Sequence, residues 1–145
     1  LRGEDQDHVF NDQIIDAAAK LASVCGATLE LLHVYDWTAV YAQDIGFGAL
    51  PLAVGIYETL GSAQHEAFAA IAERHGVAPQ NRHFIEGAPV PSICEFADKM
   101  QIDVIVMGTV QHHGLSKLLG TTAEQLLHRA PCSVLAIKPQ HTLQS

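Results

Sequence analysis

The richest chemistry in the chain lies in Met107-Gly108-Thr109-Val110-Gln111-His112-His113-Gly114-Leu115-Ser116-Lys117-Leu118-Leu119-Gly120-Thr121-Thr122-Ala123-Glu124. Three glycines and several hydroxyls join an apolar run to a helical pattern. Glycine lets a phosphate oxygen approach the backbone, and the free N–H groups at a helix start supply donors and a positive dipole end. Gly108, Gly114, Gly120, Thr121 and Thr122 are therefore the candidate anion-binding residues. The same segment also reads as a structural turn. Thr121-x-x-Glu124 has the spacing of a capping box, in which Thr121 and Glu124 satisfy the helix donors internally. On the loop alone the structural turn is the commoner of the two.

Other reactive residue types point less sharply. His112 and His113 with His128 could suggest a metal, but adjacent His diverge on a loop and no carboxylate spacing completes a ligand set. Cys94 sits beside the apolar stripe of its helix, where a free thiol behaves as a small hydrophobe, and no His or Asp is spaced to activate it. Asp5, Asp7, Asp12 and Asp16 suit the solvated face and dipole end of a first helix better than an acid pair. Trp37, Tyr41 and Phe47, with the apolar run 49–56, could wall an apolar pocket or simply close the core. These readings predict no catalytic residue and no metal site.

The elements that must position these residues belong to one domain. The 145 residues carry 16 acidic against 8 basic side chains, a formal charge of −8. A chain of this length buries roughly 68–70% of its unfolded surface without staples. The acidic balance argues against nucleic acid, which needs a basic face. Three widely spaced Cys (Cys25, Cys94, Cys132) fit neither a disulfide framework nor a Cys-based zinc site, and predict a reducing, cytoplasmic location. The longest apolar stretch, 47–57, is about half of the ~20 residues a membrane span requires.

Ile14, Ile15, Ala18, Leu21 and Ala22 recur at helical spacing, and Gly26 stops that helix, expected to begin near residues 7–11. Residues 27–34 follow as a strand. A helix over 56–75 has Leu60, Ala63, Ala67, Ala70 and Ile71 inward and ends at Gly76. A strand spans 82–86, and Pro89 or Pro91 opens a helix that buries Ile93, Ala97 and Met100. The run 102–107 is nearly all apolar, as in a parallel strand covered on both faces. A helix over 121–129 and a strand over 133–137, stopped by Pro139, complete the order. Alternating helices and strands predict an α/β, doubly wound, mostly parallel sheet. Too little chain precedes the first helix to form the strand that normally feeds it, and residue 1 is not Met. A first, central strand upstream of Leu1 is therefore expected, beside the strands at 27–34 and 102–107.

Taken in order, Glu86-Gly87-x-Pro89, Asp103-x-Ile105-Val106-Met107-Gly108, the glycine loop, Thr122-Ala123-Glu124-Gln125 and Ala130-Pro131-Cys132-Ser133-Val134-Leu135 resemble the universal stress protein family. They are most like the second half of a tandem-domain member. The resemblance covers the chain from first helix to last strand. It implies one such domain over 1–145, a Rossmann-like fold of the adenine nucleotide alpha hydrolase kind, strand order 3-2-1-4-5, and a tandem domain upstream. It also implies a candidate adenine site in which Val34 lines the base and Gly108, Gly120 and Thr121 hold phosphate, with ATP or another adenine nucleotide as the candidate cofactor.

The chain departs from the ATP-binding pattern of that family. Gln111 stands at the second glycine, and eight residues rather than nine separate it from Gly120. Both changes predict weak ATP binding. The expected function is a non-catalytic cytoplasmic stress-response module acting through a ligand or a partner, with an ATP-binding or weakly ATP-hydrolysing protein as the alternative. A homodimer or tandem pairing through Ser133 to Ile137 is expected. A small-molecule or apolar ligand is the other expected partner. An adenylyl-transferring or flavin-carrying enzyme is disfavoured, since the chain has no Ser-Gly-Gly-type loop.

Overall fold

The computed structural model describes residues 2–36, 50–109 and 121–139, and the side chains of 8–36, 58–109 and 122–139. Helices and parallel strands alternate as expected of an α/β fold: α1 (Arg2–Cys25), β1 (Leu31–Tyr35), α2 (Leu50–Arg74), a short 3₁₀ turn (Pro79–Asn81), β2 (Arg82–Glu86), α3 (Pro89–Lys99), β3 (Val104–Gly108), α4 (Thr121–Arg129) and β4 (Ser133–Ile137). β1 pairs in parallel with β2, and β3 with β4. Among the described residues these are two separate two-stranded ladders. The chain divides into two compact units, one from Leu1–Thr28 with Ile93–Ser145, the other from Leu29–Ser92.

In the first unit, α1 packs on β3. It begins at Arg2 rather than at residues 7–11, because its polar first turns carry no apolar period to mark them. Ile15 is buried, while α4 buries Ala123 and Leu126 and leaves Leu127 outside. Full burial of a leucine is worth about 1.5–3 kcal/mol. The β3–β4 ladder runs one step past its strands, since the Thr109 N–H donates to the Ile137 carbonyl at 2.9 Å. Met100, expected inward, is 42% exposed. It lies just past the last residue of α3, one position before the left-handed turn at Gln101 (φ 53°).

In the second unit, α2 packs on β1 and β2. It starts at Leu50, six residues before the expected start. The stripe facing the strands is also rotated from the expected one. Leu60 is 42% exposed, Ala63, Ala67 and Ala70 are exposed, and Ile71 is half-buried. The inward stripe is instead Gly61, Phe68 and fully buried Ala72, with the exposed His65 reaching the Phe84 ring from the same side. Alanines on every side of a helix say little about which side is inward, and the aromatic ring at Phe68 decides.

Gly26 and Gly76 end α1 and α2 as expected. Their φ values of 65° and 67° lie in the left-handed region. The following amides, Ala27 and Val77, donate back to the carbonyls of Ala22 and Ala72 at 2.8 and 2.9 Å. Such closures satisfy carbonyls that the helix itself leaves open.

Candidate functional site

The expected anion site divides between described and undescribed residues. Gly114 and Gly120 lie outside the described residues, as do Gln111, His112 and His113, and so do Trp37, Tyr41 and Phe47 of the candidate pocket wall. Thr121 opens α4, and Thr122, in its first turn, is half-buried. Glu124 also lies in that first turn, where a carboxylate suits the dipole.

Gly108 ends β3, and its lack of a side chain has a local cause. A β-carbon there would lie 2.6 Å from Ile14 Cδ1 and 2.6 Å from two ring carbons of Phe10. On its β-carbon side the half-buried glycine thus meets the apolar face of α1. Thr109 is 5% exposed. Its hydroxyl donates to the Ile137 carbonyl at 3.4 Å, beside the shorter bond from its own amide. Gly108, the first residue of the expected cradle, is thus engaged in packing, and Thr109, which follows it, in the ladder.

Val34 lies in the other unit. Successive strand side chains point to opposite faces, and residues in register share a face. Val34 and Ile85 therefore share the face on which His83 Nε2 meets Glu30 Oε2 at 2.8 Å. His33, Tyr35, Phe84 and Glu86 occupy the opposite face. Of the expected site residues with described side chains, only Gly108 and Thr122 share a unit.

The three cysteines are free thiols. Cys132 is half-buried. Burial pushes its thiol pKa up, Asp103 and Cys94 push the same way, and a backbone N–H bond from Ile105 opposes them in part. A thiol so placed stays protonated and is a poor nucleophile. Among the described residues no group of three His, Cys, Asp or Glu side chains is placed to hold a metal ion, and His128 is exposed on α4.

One concavity was not expected. In the second unit, Tyr35, Glu58, Gly61, Ser62, His65, Phe84 and Glu86 line an open cleft of about 540 Å³. Phe84 is its aromatic centre. The His33 ring stacks on it at 5.3 Å between centroids, His65 meets it edge-on at 5.0 Å, and Phe68 and Tyr35 lie at 5.9 and 6.3 Å. His33 Nε2 is also 2.8 Å from Gln64 Oε1, tying strand to helix. At Gly61 the helix backbone comes close to the Tyr35 ring, so that a β-carbon there would be 3.5 Å from Cε1. The sequence signal was the helical spacing of Glu58, Gly61, Ser62 and His65, a polar and small stripe where an apolar one would have sealed the helix to the strands. Beyond β2 the chain turns at Gly87, whose N–H donates to the Tyr35 carbonyl at 3.0 Å. A β-carbon at Gly87 would lie 2.7 Å from Ser92 Oγ.

With this geometry in place, the relatives can be compared. Residues 10–138 match the model of the universal stress protein family. Universal stress protein A homolog 1 of Coxiella burnetii is 35% identical over 128 residues, covering 88% of this chain and 87% of that protein. Universal stress protein E of Escherichia coli is 28% identical over 143 residues, covering 96% of this chain but 44% of the longer relative. Among solved structures, universal stress protein UspA from Lactobacillus plantarum superposes with a TM-score of 0.69 at 21% identity, covering 87% and 88% of the two chains. A universal stress protein solved in complex with cAMP gives 0.50 at 22% identity, covering 88% and 86%.

Proposed function

The chain belongs to the universal stress protein family, and from that premise we propose that it is a non-catalytic, cytoplasmic stress-response module that acts through ligand binding or partner association and holds adenine nucleotides weakly. The observation that carries this reading is the close approach of Phe10 and Ile14 to half-buried Gly108, on the side where a β-carbon would lie. A glycine that must be bare for apolar packing is not thereby open to phosphate. Thr109, turned to the Ile137 carbonyl, adds no free donor. Gln111 and the short spacer before Gly120 work in the same direction. Free thiols at Cys25, Cys94 and Cys132 suit a reducing compartment.

The alternative is a nucleotide-binding protein, and the relative solved with cAMP favours it. Calorimetry with ATP, on a protein in which a central strand completes both ladders, separates the two. Losing two or three charge-assisted hydrogen bonds of about 1.5–3 kcal/mol each lowers affinity by about a thousandfold or more. The expected result is millimolar or undetectable ATP binding. Low-micromolar binding abolished by Gly120→Val would establish the nucleotide reading instead.

Association is assigned to β4. Among the described residues its backbone pairs with β3 alone, and Leu135 is 43% exposed on a strand whose first charge after Val134 is Lys138. An apolar edge with open backbone groups is a pairing surface. A second copy, or a tandem half, would add its own strand there. The order 3-2-1-4-5 is proposed on the same footing: each ladder ends at a strand, β1 or β3, that this order would set beside a further central strand. Leu135→Lys is expected to reduce the solution mass to that of a monomer in light scattering. An unchanged mass would count against β4.

A further inference from the structure

Among the described residues β2 pairs with β1 alone, so its other edge meets no strand. The ladder fixes which backbone groups lie on that edge. In a parallel pair the N–H and C=O of one residue point to the same side and those of the next residue to the other. The Gly87 N–H donates to the Tyr35 carbonyl at 3.0 Å, and Tyr35 is in register with Glu86. His83 and Ile85 therefore share the direction of Gly87 and bond to β1, while Arg82, Phe84 and Glu86 turn their backbone groups outward. The Arg82 N–H is taken by the Pro79 carbonyl of the preceding turn. The Arg82 carbonyl, the Phe84 N–H and C=O and the Glu86 N–H remain on the edge.

Open edges are either guarded by charge or used for pairing. β2 carries charges of opposite sign, with Arg82 at its start and Glu86 at its end. They are equally spaced about Phe84, and all three side chains stand on one face, since strand side chains alternate. A second β2 laid antiparallel about a two-fold axis at Phe84 therefore sets Arg82 of each copy opposite Glu86 of the other. Backbone direction agrees with this register. Phe84 exchanges N–H and C=O with its counterpart, and each Glu86 N–H donates to the Arg82 carbonyl across the axis. Sliding the copy along the strand loses the opposite-charge pairs and, at the extremes, sets like charges opposite one another. Glu86 is exposed, and half-buried Arg82 is held by one of its five donors, Nε, on the Val77 carbonyl at 2.7 Å. The chain as a whole repels its copies, with a formal charge of −8 on each, so a local match of charge is what selects this edge.

We propose that the outer edge of β2 is an association surface for a second copy of the chain, joined antiparallel about Phe84 with Arg82 of each copy beside Glu86 of the other. The surface lies wholly in the second unit and is distinct from the pairing assigned to β4. It rests on the strand order proposed above in one respect, that β2 is an outer strand. The edge of β2 is polar where that of β4 is apolar, so β2 pairs at higher protein concentration.

Sedimentation velocity of the Leu135→Lys chain, in which the β4 edge is blocked, isolates this surface. The chain is expected to pass from monomer to dimer as its concentration rises. Glu86→Arg and Arg82→Glu each set like charges opposite one another and are expected to weaken the dimer by about tenfold or more. An equimolar mixture of the two variants restores both opposite-charge pairs in a heterodimer, and with them the association. Glu86→Pro removes an outward N–H without touching the bonds to β1 and abolishes the dimer. This variant carries the test if Arg82→Glu, which also loses the Val77 bond, fails to fold. Hydrogen exchange at the Phe84 and Glu86 amides reads this edge alone, with protection expected only at concentrations where the dimer forms. Fast exchange at every concentration would overturn the proposal and leave the strand order standing, whereas protection at every concentration would set a strand of the same chain on this edge and overturn both. Association unchanged in Glu86→Pro, or no recovery in the mixture of folded variants, would also overturn the surface.

Discussion

Both units set a long helix on a pair of parallel strands, yet they finish the contact in opposite ways. In the first unit α1 lays Phe10 and Ile14 on the bare backbone of Gly108, and the glycine exists to let apolar side chains in. In the second, α2 brings Gly61 toward the Tyr35 ring but surrounds it with Glu58, Ser62 and His65, and the contact stays open as a cleft. The same residue type thus serves two ends. A strand glycine under a helix seals a core, whereas a helix glycine beside polar neighbours keeps a wall apart.

Substituting the two glycines is the most direct way to break this comparison. Gly108→Ala places a methyl group 2.6 Å from three carbon atoms at the ends of the half-buried Ile14 and Phe10 side chains, which must move aside, so the cost is expected at the low end of the about 1–3 kcal/mol of overpacking. Gly61→Ala meets only ordinary contact at 3.5 Å and replaces a helix-interior glycine, a change worth about 0.8–1 kcal/mol in favour of the helix. Chemical denaturation of both variants is expected to show opposite signs, destabilised at 108 and stabilised at 61. A loss at both positions would mean that the cleft wall is as tightly packed as the α1 contact.

Much of this frame was legible because it is local. Gly26 and Gly76 close their helices by a chemistry confined to a few residues, and the strands 82–86 and 133–137 have the expected boundaries. The start of α1 was not legible, since Arg2 to Asp7 offers no apolar period. The inward stripe of α2 was misread because its alanines outnumber the residues that pack. The cleft could not be found along the chain at all. It arises where alternate residues of β1 and β2, Tyr35, Phe84 and Glu86, meet every third or fourth residue of α2, so that no contiguous segment contains it. At the glycine loop the sequence offered both phosphate binding and structure for Gly108, and only the position of Phe10 and Ile14 shows the structural demand.

The far face of the β1–β2 ladder sharpens the comparison by separating strand pairing from the cleft. His83 and Glu30 meet there at 2.8 Å, with side chains 23% and 17% exposed. A partly exposed pair of this kind contributes about 0.2–1 kcal/mol. A double-mutant cycle with Glu30→Gln and His83→Ala is expected to return a coupling in that range. A coupling near zero would show that the pair adds nothing to the ladder.

The smallest effect belongs to Cys132 in the first unit. Its thiol pKa in the folded chain is raised above the ordinary 9.0, first by burial and then by Asp103 and Cys94. The unfolded chain therefore loses the thiol proton at lower pH than the folded chain does. A raised folded value contributes stability that is fully present below the unfolded pKa and is lost as pH rises through the folded one. Between neutral pH and about 8 no effect is expected, and above 9.0 the contribution declines. Cys132→Ala is expected to remove that alkaline component from the stability profile while leaving the rest of the curve's shape intact. The same protection predicts reactivity: at pH 8, iodoacetamide modifies exposed Cys25 before Cys132, because the thiolate is the attacking species and burial disfavours it. Mass spectrometry of timed digests reads the order directly, and faster labelling at Cys132 would mean that the end of β4 opens more readily than its packing implies.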